Sequence, residues 1–386
     1  MAESASPSIQ LPTGGAVALP TFKGRAGWEF TDISTLDLPA YERVAPVVDG
    51  GVAPLWELQS PALPEGVIVG SLDDAPAAVV GSLVDAGDDP FVALNDAGER
   101  RGTYVYVPRG VVLEEPISLT AVQAATGTLV NQRTLVVIEE DAQAEVWEQF
   151  LSGSEELDGV FNVVTELVVG DGARLRYVCG QGLSERSWIF GAQRASVGRA
   201  GALDWVALGF GSTGGHVRME TRLSGEGADA RVTGAYATHG RQHIDFDTTQ
   251  EHAAPHTTSD LAFRGVLQGR SSAVWKGNII VDPGAQKTDA FQESRNLLIS
   301  KRAHADAIPG LEIQANDVRC THAAAVAQVD PEQIYYLRSR GLREEVAKQL
   351  VIEGFLSALV ERFEPGVVRE VLGDALEHRL GLVLAG

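Results

Sequence analysis

The segment Gly170-Asp-Gly-Ala-Arg-Leu175 decides the fold, because it is one copy of a recurring pattern. The pattern is a step of small residues followed by the start of a strand. It recurs at Asp141–Val146, Arg199–Leu203 and Gly225–Ala230, with weaker copies at Gly269–Val274 and Lys301–Asp306. Counted on Ala144, Ala173, Ala202 and Ala228, the copies lie 29, 29 and 26 residues apart. A period in this range is typical of solenoid and array folds.

The residues between the copies favour strands over helices. Runs of β-forming residues bounded by Gly, Asp or Asn occur at Leu135–Ile138, Val163–Val169, Arg174–Val178, Val217–Leu223 and Ile279–Val281. Little of this sequence has the 3.6-residue period of a helix. Glycine, at 42 of 386 residues, suits a chain that turns often. We therefore predict a mainly β protein with a parallel β-helix core over residues 102–326; a blade array is the competing fold, but it needs more strands per repeat.

The two ends of the chain differ from this core. Residues 1–101 are predicted to form a partly helical N-terminal domain, with a short strand at Gly66–Gly70, a helical turn at Pro90–Asn95 and a disordered, polar start. Residues 327–386 are predicted to form a helical C-terminal domain. Its first helix has Asp330 as N-cap and ends at Gly341, and two further helices are expected at about Glu344–Phe363 and Val367–Leu380.

Composition limits the partners and the compartment. The chain has 52 acidic and 31 basic residues, a formal charge of −21, so nucleic acid and anionic membranes are not expected to bind it. No apolar run approaches the ~18 residues of a membrane span. Cys179 and Cys320 are the only cysteines, which is no disulfide framework. The first residues lack the features of a secretory signal, and we therefore expect a cytoplasmic protein.

Several motifs carry little chemistry. Gly209–Gly214 matches G-x-G-x-x-G, but the strand-like Val217–Leu223 follows it where a dinucleotide site needs a helix, so a glycine-rich corner is favoured. There is neither a P-loop nor a G-x-S-x-G serine motif. His239 and His243 are four residues apart, as are His252 and His256. On a strand that spacing covers roughly 13 Å, so surface or interior histidines are favoured over a metal site.

Cys320-Thr-His322 is the sharper constellation. At positions i and i+2 of a strand, both side chains point to one side, about 6.6–7 Å apart along the chain. A thiolate and an imidazole at that spacing could bind the same iron or zinc ion. The alternative, a buried structural cysteine beside a rim histidine, stays open on these residues alone. Two ligands do not fill a tetrahedral site, so any others would come from elsewhere, most naturally from another subunit.

The stretch from about His239 to Gly354 resembles the SufB/SufD family of the SUF iron–sulfur cluster assembly system. The resemblance depends on a set of short motifs: His243-Ile-Asp245, His252-Ala-Ala-Pro-His256, Lys276-Gly-Asn-Ile279, Gln286-Lys-Thr288, Arg295-Asn-Leu-Leu298, Asp317-Val-Arg-Cys-Thr-His322 and Tyr336-Leu-Arg-Ser-Arg-Gly341. Trp28-Glu-Phe-Thr-Asp32 is similar to the family's N-terminal signature. The Cys-Thr-His tripeptide and the short chain resemble the SufD branch, since the SufB branch usually carries an acidic His-Glu-Ala type segment there. Ala323, Ala327 and Arg343 depart from the usual pattern of two glycines and a serine cap.

The resemblance implies a right-handed parallel β-helix between N-terminal and C-terminal helical domains, and a non-enzymatic scaffold subunit. It implies a heterodimer with a SufB-like paralogue, an ATPase of the SufC type docked on the C-terminal helices, and a homodimer as an option when the chain is alone. No cofactor is expected to stay bound. Cys320 and His322 match family residues near the SufB interface, where they would act as metal ligands and bind a transient iron–sulfur cluster.

Two other functions stay open at this point. A carbohydrate-active β-helix enzyme would need clustered carboxylates, for which Asp245 and Asp247 on one strand face are the best candidates. A purely structural interaction module would use the solenoid as a binding surface and bury Cys320 in the core.

Overall fold

The computed structural model describes residues 8–11, 13–21, 27–48, 53–58, 62–87, 89–97 and 102–385, with only the backbone for 383–385. Twenty strands and four α-helices lie in these ranges. The strands are β1 (Ser8–Gln10), β2 (Ala16–Ala18), β3 (Glu42–Val44), β4 (Ile68–Ser71), β5 (Gly102–Val107), β6 (Ile117–Gln123), β7 (Thr128–Ile138), β8 (Gln143–Ser152), β9 (Gly159–Val169), β10 (Arg174–Gly182), β11 (Trp188–Val197), β12 (Ala202–Gly209), β13 (Gly214–Leu223), β14 (Asp229–Thr238), β15 (His243–His252), β16 (Thr258–Leu267), β17 (Ser272–Val281), β18 (Asp289–Leu298), β19 (His304–Ile313) and β20 (Arg319–Gln328). The helices are α1 (Pro90–Asp96), α2 (Pro331–Ser339), α3 (Glu344–Val360) and α4 (Val367–Ala385).

Strands β5 to β20 form a parallel β-solenoid of about eight turns. Even-numbered strands from β6 to β20 form one sheet of eight, and odd-numbered strands from β5 to β19, with the antiparallel β4 at the end, form one of ten. Each turn therefore contributes one strand to each sheet. The predicted β-helix is confirmed, and its strands run from Gly102 to Gln328. The Gly209–Gly214 motif is the corner between β12 and β13, as expected.

The register of the turns differs from the predicted one. Residues that occupy the same position in successive turns are Gln143, Arg174, Ala202, Asp229, Thr258, Asp289 and Arg319, which gives steps of 31, 28, 27, 29, 31 and 30 residues. Counting on Ala144, Ala173, Ala202 and Ala228 therefore mixed three adjacent positions. The pattern still found the repeat, because a shift of one residue is smaller than the variation in corner length.

One corner of the solenoid is a column of residues in the left-handed region. Its φ angles lie between 54° and 72°, at Gly110, Asp141, Gly172, Ala200, Gly227, His256 and Lys287. The backbone N–H of each donates to a carbonyl of the following turn, for example Gly172 to Arg199 at 2.8 Å and His256 to Gln286 at 2.8 Å. Only three of the seven are glycines, so this hydrogen-bond column holds other residues in a conformation that glycine adopts more easily.

The solenoid interior is filled by side chains that alternate inward along both sheets. Tyr177, Trp205, Phe263 and Trp275 are fully buried there, among aliphatic residues from every turn. This interior is the main hydrophobic core, since burial of apolar surface is the dominant favourable term in folding.

The described part of the N-terminal region packs on the ten-stranded sheet. It has four short strands, the seven-residue α1 and two 3-10 turns, Leu38–Ala40 and Leu72–Asp74. Phe91 of α1 stacks on Phe190 of β11, with ring centroids 3.8 Å apart. The strand and helix expected at Gly66–Gly70 and Pro90–Asn95 are present as β4 and α1. The polar start falls on residues 1–7, which lie outside the described ones.

The C-terminal helices match their sequence signals. Asp330 caps α2 by accepting the N–H of Glu332 at 2.8 Å, and Gly341 after the helix has a φ of 95°. Helices α3 and α4 cover the eight-stranded sheet at β14 and β16. In the part of the chain that the structure describes, no helix combines the length and the apolarity that a membrane span requires.

Candidate functional site

The C-terminal end of the solenoid is open. Strand β20 is the last of the eight-stranded sheet and β19 the last of the ten-stranded sheet, and no described strand pairs with their outer edges. Several apolar side chains of these two strands are exposed by more than a third: Ile308, Leu311, Ile313 and Val326. An unpaired strand edge beside exposed apolar side chains is a surface suited to a further protein chain.

Cys320 and His322 lie on this outermost strand. They are in register with Ala290 and Gln292 of β18, whose side chains are buried in the solenoid. Cys320 is half-buried and packs against the small interior cluster that contains Ala290, while His322 is exposed. As alternate residues of one strand, both side chains face the same side of the sheet. The structure thus brings together the two residues that the sequence singled out, at an end of the coil that a second chain could cover.

The thiol of Cys320 is held in its protonated form. Burial raises its pKa above the ordinary value, and the negative charge of Asp289 raises it further. A metal ligand must be the thiolate, so metal binding at this residue releases a proton. No three His, Cys, Asp or Glu side chains come close enough to hold a metal ion anywhere in the described ranges. Further ligands for an ion at Cys320 and His322 would therefore have to come from outside those ranges.

The two cysteines should differ in reactivity. Cys179 is buried inside the solenoid, and burial raises the pKa of its thiol to about 12. With iodoacetamide at pH 8, we expect native protein to incorporate label at Cys320 alone, and unfolded protein to incorporate it at both cysteines. Mass spectrometry of Cys320→Ser should then find no label in the native state. A native chain that stays unlabelled would place Cys320 in the core and favour a purely structural role.

Neither histidine pair converges on a metal ion. His243 begins β15 and His252 ends it, while His256 occupies a left-handed corner. The ring of His252 is buried, with Nδ1 2.8 Å from the Thr257 hydroxyl and Nε2 2.9 Å from the Ser259 hydroxyl. His239 pairs instead with Glu185 at 2.5 Å. The expectation of surface and interior histidines agrees with these contacts.

Burial of His252 makes stability depend on pH. Burial lowers the pKa of His252 from 6.5 to about 4, so between these values the unfolded chain binds a proton that the folded chain does not. Its contribution is complete above about pH 6.5 and is lost as the pH falls towards 4, with a slope of up to about 1.4 kcal/mol per pH unit. In urea titrations from pH 7 to 4.5, His252→Gln should lose this slope, whereas the exposed His304→Gln should keep it. Equal slopes in both variants would contradict the assignment.

A buried polar cluster joins the N-terminal region to the ten-stranded sheet. Asp245 accepts the Thr31 hydroxyl at 2.7 Å and lies 3.1 Å from Nδ1 of His216, whose ring is 4.6 Å from that of Trp28. Asp247 on the same strand pairs with Lys276 at 3.2 Å. Sequence reasoning marked Trp28–Asp32 and Asp245 separately but missed their contact, because nothing local connects residues that are 214 positions apart.

Comparison with known proteins gives consistent matches. The family model for the SUF system FeS cluster assembly SufBD core domain matches residues 121–355, and that for the SufBD protein N-terminal region matches residues 42–119. The chain is 32% identical to the iron–sulfur cluster assembly protein SufD of Bacillus subtilis over 299 residues, covering 77% of this chain and 68% of that one. It is 33% identical to an iron–sulfur cluster assembly SufBD family protein of Mycobacterium tuberculosis over 300 residues, covering 75% and 72%. A chloroplastic protein of Arabidopsis thaliana is 29% identical over 357 residues, covering 88% and 73%.

Proposed function

Because this chain belongs to the SufBD family of SUF-system iron–sulfur cluster assembly proteins, we propose that it is a non-enzymatic scaffold subunit of a cytoplasmic assembly complex. In this proposal a SufB-like paralogue covers the open end of the solenoid. The observation that carries it is the position of Cys320 and His322, side by side on the outermost strand with one face towards any chain added there.

The donor set suits an iron–sulfur cluster as cargo. The thiolate of Cys320 is a soft ligand and the imidazole of His322 a borderline one, and both are ligands of biological iron. Two protein ligands on one chain leave coordination positions for residues of the paralogue. A cluster held by two chains can be released when they separate, which suits transient assembly better than permanent storage.

The C-terminal helices are the proposed docking site for a SufC-like ATPase. Tyr335 and Tyr336 of α2 are exposed by 75% and 56%, and Leu350 of α3 by 45%. Arginines attach this helical domain to the solenoid: Arg379 donates to the carbonyl of Ala237 at 3.2 Å, and Arg264 to that of Phe355 at 3.2 Å. Motion of a bound ATPase would thus reach β14 and β16, near the open end of the solenoid. When no paralogue is present, a second copy of this chain could cover that end.

The decisive measurement is cluster delivery by a complex reconstituted with a SufB-like paralogue and a SufC-like ATPase. We expect His322→Ala to lower the rate of delivery to an apo acceptor protein by roughly tenfold or more, because loss of a ligand group weakens a metal site at least that much. His304→Ala is the matched control, since His304 is also exposed but lies on β19, where it pairs with Asp306. Unchanged delivery by an intact His322→Ala complex would remove His322 from the mechanism.

A further inference from the structure

A cleft of about 680 Å³ separates the N-terminal region from the outer face of the ten-stranded sheet. One wall is formed by residues 83–87, and the other by side chains of β11, β13 and β15. It lies on a different face from Cys320 and His322, and its volume falls within the range of small-molecule sites, about 300–1,000 Å³. Three of the residues that line it have polar groups unused within the described chain.

His216 supplies a hydrogen-bond acceptor. The residue is only 5% exposed, and its Nδ1 is fixed by Asp245, which also accepts the Thr31 hydroxyl. In a neutral ring with Nδ1–H donating to Asp245, Nε2 carries the lone pair. No described residue bonds Nε2, and His216 lines the cleft. The ring therefore presents an oriented acceptor that has no partner.

Arg218 supplies donors. It lies two residues further along β13, so its side chain is on the same face as His216. Its nearest carboxylate oxygens, on Glu220 and Asp89, are 3.5 and 3.6 Å away, beyond hydrogen-bond distance. By contrast, the guanidinium of Arg222 on the same strand donates directly to Glu251. The N–H groups of Arg218 are thus free to bind a carboxylate in two-pronged fashion.

Asp85 supplies a negative charge on the opposite wall. It is exposed and forms no ion pair within the described ranges. Three further carboxylates, those of Asp89, Glu220 and Asp247, line the cleft, so a simple anion would be repelled, while a simple cation would meet Arg194 and Arg218. A ligand that carries both charges avoids each of these conflicts.

From this arrangement we infer that the cleft binds a free α-amino acid. The carboxylate of the ligand bonds Arg218, and its ammonium group donates to Nε2 of His216 and to Asp85. These contacts recognise the part that all amino acids share, and the remaining volume holds the side chain. This binding function is separate from the proposed scaffold role, and neither depends on the other.

The test uses the full chain and the twenty standard L-amino acids. We expect at least one of them, at millimolar concentration, to raise the thermal unfolding temperature and to bind in calorimetry. Its decarboxylated amine and its deaminated acid, each lacking one charge, should not bind. If no amino acid binds, or if either single-charge analogue binds as well as the amino acid, the inference is wrong.

Matched variants locate the site. Arg218→Gln should weaken binding by at least about tenfold through the loss of a charge-assisted contact, and His216→Asn, which can still donate to Asp245 but lacks Nε2, should weaken it similarly. Arg222→Gln is the control, because Arg222 lies on the same face of β13 outside the cleft. Unfolding temperatures without ligand verify that each variant is folded. Equal losses in Arg218→Gln and Arg222→Gln would overturn the assignment to this cleft.

Discussion

Glu166→Ala should lower the free energy of unfolding by about 3–5 kcal/mol, the cost typical of breaking a buried ion pair from one side. The Glu166 carboxylate is fully buried and accepts the backbone N–H groups of Gly81, Leu83 and Val84 at 2.8 to 3.1 Å. It also accepts Nε of Arg133 at 3.0 Å. Alanine leaves three backbone donors and a buried guanidinium without this acceptor, although Arg133 keeps its contact with Asp96.

The loss should be largest where the N-terminal region meets the solenoid. Urea unfolding gives the total change, and limited proteolysis should find new cleavage near residues 81–97. Glu156→Ala is the control, since its carboxylate is 84% exposed and its pair with Arg186 lies at the surface. That control should change stability by less than about 0.5 kcal/mol. A similarly small change for Glu166→Ala would show that this anchor is dispensable.

Trp205→Ala should cost a comparable 3–5 kcal/mol, because it opens a cavity in a close-packed interior. Trp205 is fully buried on β12 and meets the ring of Tyr177 edge-on, with centroids 6.1 Å apart. In a solenoid each turn packs mainly on its neighbours, so a void in one turn weakens its contacts with the turns on both sides.

Thermal unfolding followed by circular dichroism measures this effect. Trp205→Phe is the matched variant, since it keeps an aromatic ring in the same position and should lose clearly less stability than Trp205→Ala. If the two variants lose the same amount, the interior at this turn is not close-packed around the indole. Both variants should leave Cys320 reactive, because β20 is four strands further along the same sheet.

The strands were predictable because their signals are local. Apolar alternation between Gly and Asp residues is enough to mark Arg174–Val178 or Val217–Leu223 without knowledge of the rest. The register was not, because corners absorb between 27 and 31 residues per turn and only the completed hydrogen-bond ladder fixes the pairing. Left-handed corners at Asp141, Ala200 and Lys287 were also missed, since none of these residues announces a positive φ.

The candidate site divides in the same way. That Cys320 and His322 share a face follows from their spacing once the segment is known to be a strand. That the strand is the outermost one follows from its place before the helical tail. The cluster of Thr31, His216 and Asp245 could not be foreseen, because the chain returns to that surface only after the solenoid has formed.

The open end formed by β19 and β20 has a consequence for the cell that makes this protein. Exposed rows of backbone donors and acceptors are templates on which other strands assemble. Molecules synthesised in excess of their covering chain would join one another through this end or be degraded. Balanced production of the two chains is then a requirement of solubility, and expression from a shared transcript would be the simplest way to meet it.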